Sequence, residues 1–433
     1  MNKPFCQIMA MAFSLCFLTG CMATPATDAV ASHMEEMVPA DAVAPRELTV
    51  PEHVSLEKES LGCGSILFDA DVYADLQDVP ATFEVTPHEM TVEEVRHITE
   101  LLTGPATAYQ PYADTRAELT RRKSMLEQEA TGAEADQAML EYLEAAVEEA
   151  PEAITKVAFD WDSVPDWQAP GAGPYSVMLE GETGTARIHV KETVYRYSAC
   201  KDVTSIPASW IDASYAFRPE APEFPVEDAR ETAFRTLEML GLAGYAILDD
   251  QTETCCFLSN ARPQGYGYVF TATRTVGSQA SVWPGNSWWT ESCVPAVVAP
   301  WDTEAVTIWV GKDGIMALSV QGASDYGIVP EQQARMVPFD IIVENAKKQL
   351  LYLFATDDGD TGSEESVVVH DIRLVRGTIQ QKDRPANGIS VPLWMFTFTH
   401  TVKDADIVET YSIFINAVDG AYVNPRVTLA QIS

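Results

Sequence analysis

The chain is short of positive charge. Against 64 acidic residues it sets only 28 lysines and arginines, for a net charge of -36. Nucleic-acid binding rests on cations that neutralise phosphates, so a body of this sign is excluded from that class. Cysteine is scarce too: eight in 433 residues, with Cys6, Cys16 and Cys21 near the amino terminus. The others, Cys63, Cys200, Cys255, Cys256 and Cys293, form an odd set without C-x-x-C pairs, which argues against a disulfide framework or a zinc site. They read as buried free thiols, with one bridge from Cys255 or Cys256 to Cys293 as the alternative. No nucleophile elbow, zinc-protease H-E-x-x-H or phosphate-cradling glycine loop is present, and the seven histidines include no i,i+4 pair. The acidic run Asp357 to Glu365 places glycine where the third acidic ligand of an EF-hand would stand, so it reads as a solvated loop. His400 reads as a half-exposed strand residue. No catalytic residue, metal or cofactor is expected.

Long hydrophobic runs are also missing, apart from Ile8 to Leu18. That run is too short for a bilayer core, which needs about 20 residues. With Lys3 before it and small residues after it, it has the layout of a secretory signal. Leu18-Thr19-Gly20-Cys21, which closes the run, resembles a bacterial lipobox. The resemblance implies cleavage before Cys21 and a diacylglyceryl group on its thiol, which would hold the protein to the membrane on its extracytoplasmic side. Two acyl chains anchor firmly where one does so marginally. Residues 22–60, rich in Pro, Ala and Glu, read as a disordered stalk.

At this length two domains beyond the signal are expected. The first, 61–220, reads as α+β. Strands are expected at Ser65 to Ala74 and Ala81 to Pro87. Helices follow from the capping box Thr91-Val92-Glu93-Glu94 to Gly104, from Thr115 to about Glu129, and from about Glu134 to Glu149. Further strands are expected at Ala153 to Trp161, Ser176 to Leu179, Ala186 to Tyr197 and Trp210 to Phe217.

The second, 221–433, states one pattern twice, over 221–330 and 331–433. Each copy opens with a helix, its apolar stripe formed by Val226, Ala229, Ala233, Leu237 and Leu240 in one and Ile342, Ala346, Leu350 and Leu353 in the other. A long strand follows, Tyr268 to Val276 or Trp394 to Val402, and then a hairpin through Asp313-Gly314 or Asp419-Gly420. Two antiparallel sheets, each covered by one helix, are the expected result. Only the first copy carries an insertion of about twenty residues, with Trp283, Trp288, Trp289 and Trp301, and long insertions lie in surface loops that often carry function. These indoles, with Trp161 and Trp167, are candidates for a binding surface, the alternative being that they fill core.

The repeated unit, ending in Phe414-Ile415-Asn416-Ala417-Val418-Asp419-Gly420-Ala421, resembles the PepSY superfamily and in particular the YycH and YycI regulators of Gram-positive bacteria. That likeness implies helix-on-sheet repeats and a role in protein contacts. Asp69-Ala70-Asp71-Val72 and Thr91-Val92-Glu93-Glu94-Val95 are similar to segments of a group of clostridial lipoproteins. The expected function is that of a non-enzymatic, lipid-anchored envelope protein that contacts an exported or membrane protein. Its competitors are a glycan- or solute-binding lipoprotein that uses the tryptophans, and a secreted hydrolase with a carboxylate pair.

Overall fold

The computed structural model describes residues 39–424, except for position 40 and the stretches 62–63, 89, 106–107, 112–114, 130–133, 153–156, 159, 164–174, 183–184, 191–195, 201–203, 209–210, 212–216, 260–261, 282–296, 299–302, 355–364, 382–383 and 403–406. The signal, the lipobox with Cys21 and the acidic run at 357–364 lie outside the described residues.

The chain begins with β1 (His53–Ser55), β2 (Glu59–Leu61), β3 (Gly64–Tyr73), β4 (Phe83–Pro87) and α1 (Val92–Thr103). Next come β5 (Ala108–Pro111), α2 (Arg116–Glu129), α3 (Glu134–Glu149), β6 (Val157–Ala158), β7 (Tyr175–Glu180), β8 (Thr185–Val190), β9 (Arg196–Cys200) and β10 (Thr204–Pro207). Then follow α4 (Val226–Met239), β11 (Tyr245–Ile247), β12 (Glu253–Ser259), β13 (Arg262–Val276), β14 (Gln279–Ala280), β15 (Val297–Val298), β16 (Ala305–Gly311), β17 (Gly314–Gln321) and β18 (Ser324–Tyr326). The last elements are α5 (Phe339–Phe354), β19 (Glu365–Gln381), β20 (Arg384–Val402), β21 (Ile407–Asn416) and β22 (Tyr422–Asn424). The fold is α+β with sheet predominant and, among the described residues, five α-helices.

A ten-stranded sheet runs in the order β1-β3-β19-β20-β21-β22-β15, with β2 on β3 and with β4 joining β20 to β18. An eight-stranded sheet runs β10-β12-β13-β16-β17-β9, with β11 and β14 added to β13, and a smaller one runs β6-β5-β7-β8. Alternation along the strands of the large sheet sends Phe68, Val369, Trp394, Phe396, Phe398, Ile413 and Ile415 to one face, under Ile342, Ala346 and Leu350 of α5. Each such side chain, fully removed from water, contributes about 1.5–3 kcal/mol. Trp394 also meets Phe339 edge to face at 4.7 Å.

The second sheet departs from the expectation of one covering helix. Val95, Ile98 and Leu102 of α1 share its core with Ala229, Ala233 and Leu237 of α4, over Phe270, Ala272, Ile308 and Leu318. The capping box that starts α1 is formed as expected: Thr91 Oγ1 accepts from the Glu94 N–H at 3.2 Å, and Glu94 Oε2 accepts from the Thr91 N–H at 2.6 Å.

The two-part division at 221 is not a structural boundary. Strands β1 to β4 belong to the large sheet alongside β19 and β20, and β9 and β10 belong to the second sheet alongside β17 and β12. Nor is the large sheet wholly antiparallel, because β3 runs parallel to β19 and β15 parallel to β22. Pairings between strands so far apart in sequence leave no local pattern to read.

The stalk expected to reach residue 60 stops short of it. Ala42 is buried, and Val43 and Met336 exchange backbone hydrogen bonds of 2.9 and 2.8 Å. From there Leu48, Val50, Val54 and Leu56 pack on the large core, and His53 sits between Asp71 and Asp69 at 2.9 and 3.0 Å. The prolines hid the pattern, because strands this short show too little alternation to register.

Strand-like sequence at 210–217 falls mainly outside the described residues. His400 proves buried at 6% exposure, with Nε2 3.3 Å from Glu365 and its ring 4.9 Å from Phe354. The strand is central, and α5 covers that face.

Cys255 and Cys256 carry free thiols and point to opposite faces of β12, one beside Phe257 and Val269, the other beside Ile211 and Leu258. Burial pushes the Cys255 thiol up to about 12, and thiolate is the reactive form. Both should therefore resist iodoacetamide in the folded protein at pH 8 and react once urea unfolds it, as peptide mass mapping would record. Rapid native labelling at either site would contradict this packing.

Both expected Asp-Gly turns close hairpins. Gly314 takes φ 100° and Gly420 φ 77°, and at the second a Cβ would stand 2.7 Å from Asn345 of α5. Burial in this tight turn raises the Asp419 carboxyl to about 6. A carboxyl whose folded pKa exceeds its unfolded value of about 4 favours folding below that value and costs stability as pH rises through the folded one. Asp419→Asn, whose Oδ1 can still accept from the Ala421 N–H, should stabilise the protein by about 3 kcal/mol at pH 8 and hardly at all at pH 4. Urea titrations at the two pH values test this, and equal effects at both would refute it.

Candidate interaction site at the junction of the two sheets

The tryptophan insertion leaves β13 of the second sheet and returns at β16. Its first end turns at Gly277, where a Cβ would lie 2.6 Å from the Asp78 carbonyl oxygen. That oxygen accepts from the Ser278 N–H at 3.0 Å, the Ser278 hydroxyl at 2.9 Å and the Gln279 side-chain amide at 3.1 Å. Ser281 then forms a parallel bridge with Arg376 of the large sheet, and its hydroxyl lies 3.4 Å from the Tyr326 hydroxyl. Within the insertion, β15 joins the large sheet beside Val423 and Asn424. The chain thus crosses from one sheet to the other and back.

The second end is fixed by Glu304, whose side chain is 4% exposed. Arg274 grips it with two parallel hydrogen bonds, Nε to Oε2 at 2.9 Å and Nη2 to Oε1 at 2.8 Å, the strong bidentate geometry. Tyr245 donates its hydroxyl to the same carboxylate, and the Ser324 N–H approaches it at 3.3 Å. The Arg274 guanidinium also lies over the rings of Tyr326 at 4.5 Å and Tyr245 at 5.3 Å. Burial disfavours charge on Arg274, but the hydrogen-bonded Glu304 outweighs it and holds the guanidinium above its ordinary value. Burial, seconded by Glu304, lifts the Tyr326 hydroxyl to about 12, so it stays protonated.

Arg376 completes the junction and is fully buried. It donates through Nε to Ser390 Oγ at 2.8 Å, through Nη1 to the Pro80 carbonyl at 2.9 Å and through Nη2 to the Ala81 carbonyl at 2.8 Å, with Phe83 4.8 Å below it. Burial pulls its pKa down to about 10, which still leaves it charged at neutral pH. Chemically the cluster is a clamp: every donor and acceptor named here is spent on another part of the protein.

Trp283, Trp288, Trp289 and Trp301 lie outside the described residues, as do Trp167 and Cys21. Trp161 is half-buried against the α1–α4 core. Arg274, Glu304, Tyr245, Tyr326 and Arg376 were not singled out from the sequence, although one signal was there. Arg376 shares the parity of Ile372 and Leu374, so a charge occupies an inward position of an apolar strand.

No protein-family model matches the chain, and no curated protein matches it. A protein of Eubacterium rectale, described as uncharacterized in its crystal structure, is similar over 91% of this chain and 98% of its own, at 10% identity and a TM-score of 0.45. The YpeB C-terminal domain of Bacillus megaterium is similar over 57% of this chain and 80% of its own, at 15% identity and a TM-score of 0.25.

Proposed function

We propose that the chain is a non-enzymatic lipoprotein of a Gram-positive envelope, tethered through a diacylglyceryl group on Cys21. Its PepSY-like helix-on-sheet layers act as a rigid mount for the tryptophan insertion, which contacts an exported or membrane protein. One observation carries this reading: both ends of the insertion are rooted in a buried polar clamp shared by the two sheets, through Ser281 and Glu304. Loops that bind are most effective when a rigid scaffold positions them. Exposed indoles supply large contact area at little entropic cost.

The test is Trp288→p-benzoylphenylalanine, photolysed in intact cells. A covalent adduct with a second exported or membrane protein is expected, at a yield that falls when Glu304 is also changed to Gln. Adducts of this chain with itself alone would overturn the proposal.

A further inference from the structure

The segment after β18 runs back beside residues 79–85. Tyr326 pairs with Val85, the Gly327 N–H donates to the Glu84 carbonyl at 3.0 Å, and Gln333 bridges Pro80. Between these ties the two sides are unequal, with Ile328, Val329, Pro330 and Glu331 standing opposite only Thr82 and Phe83. The surplus bulges outward, leaving Ile328 94% exposed and Val329 41% exposed. An aliphatic pair at the tip of a loop, held on both sides by backbone hydrogen bonds, is poorly placed to contribute to the core. It is well placed to enter something else.

The amino-terminal end of the folded body lies on the same segment. Val43 pairs with Met336, and Arg335 Nε donates to the Ala42 carbonyl at 3.1 Å. From Met336 to Ile328 is at most about 26 Å at the rise of a strand. Cys21 and Ala42 are 21 positions apart in the sequence. Within 39–48 and 327–336 the bases Arg46 and Arg335 nearly balance the acids Asp41, Glu47 and Glu331, unlike the strongly acidic chain at large. These two segments, at a net charge of -1, meet less repulsion from anionic headgroups than the strongly acidic chain at large, although Glu84 and Asp325 stand beside the loop.

We infer that the Ile328-Val329-Pro330 tip is a second membrane contact, dipping into the lipid interface beside the tether and fixing which side of the body faces away from the membrane. This inference rests on the reading of Cys21 as an anchor. Val408, 68% exposed on β21, serves as the control.

The experiment places an environment-sensitive fluorescent amino acid at position 328, or at 408, in the lipidated full chain on phosphatidylcholine–phosphatidylglycerol vesicles. Blue-shifted emission at 328, quenched several-fold more by spin-labelled lipid than at 408, is expected, and Val329→Asp should reduce it. Water-like, unquenched emission at 328 on chains that float with the vesicles would overturn the contact. If the lipidated chain does not float at all, the anchor reading fails instead. The same measurement on residues 22–433, held by an amino-terminal polyhistidine tag on nickel-chelating lipid, then decides the contact by itself: quenching at 328 sustains it and no quenching overturns it.

Discussion

Replacing Arg376 by methionine is expected to destabilise the protein by about 3–5 kcal/mol, because three buried acceptors lose the guanidinium that donates to them. A buried charge can often be exchanged for apolar side chains at little cost when its partners are exchanged with it. Here that route is closed, because the partners are the backbone carbonyls of Pro80 and Ala81, which no substitution can remove. Methionine would fill the volume and pack on Phe83. It would still leave those carbonyls and the Ser390 hydroxyl without donors, at about 1–3 kcal/mol for each group that stays buried. Arg376→Lys should recover only part of the loss, since an ammonium cannot reproduce the planar fork. Urea unfolding monitored by tryptophan fluorescence would give the result, and a midpoint equal to that of the wild type would show that the junction does not depend on this guanidinium.

The second large effect belongs to Glu304. Glu304→Gln keeps the shape but replaces with an NH2 donor one of the two acceptor oxygens that receive hydrogen bonds from Arg274 Nε and Nη2, the Tyr245 hydroxyl and the Ser324 N–H. The amide NH2 must then face a donor, and Arg274, with 30% of its side chain exposed, loses its counter-charge. About 2–4 kcal/mol is the expected cost, somewhat below the value for a fully enclosed pair. Glu59→Gln provides the contrast: its bond to Lys347 lies at the surface, with Glu59 39% exposed, and should be worth less than about 1 kcal/mol. Equal losses in the two variants, read as shifts of the urea midpoint, would mean that the Glu304 clamp is no stronger than a surface ion pair.

Much of the fold could be read from local chemistry. Thr91 and Glu94 marked the start of α1, the three-and-four spacing of Val226, Ala229, Ala233, Leu237 and Leu240 marked α4, and Asp313-Gly314 marked the turn between β16 and β17. Each of these depends on residues close in sequence. What escaped was set by distant partners: the parallel pairing of β3 with β19, the incorporation of residues 42–61 into the large sheet, and the second helix over the eight-stranded sheet. The junction was hidden for the same reason. Arg274 and Glu304 are separated by the insertion, and nothing near Glu304 in the sequence distinguishes it from the many other acids until the strands bring the two together.

The pairing of β3 with β19 also has a bearing on how the protein is made. Residues 64–73 find their parallel partner only at 365–373, about three hundred positions later. A strand emerging first from a ribosome or a translocation channel must wait for almost the entire polypeptide before one of its edges is satisfied, and pairing over such separations is intrinsically slow. Until then Ile66 and Phe68 remain exposed to other nascent chains and open to wrong partners. The large sheet should therefore be the last part to mature, after chain synthesis is essentially finished, and truncations that remove the final strands should yield aggregation-prone material rather than a stable amino-terminal fragment.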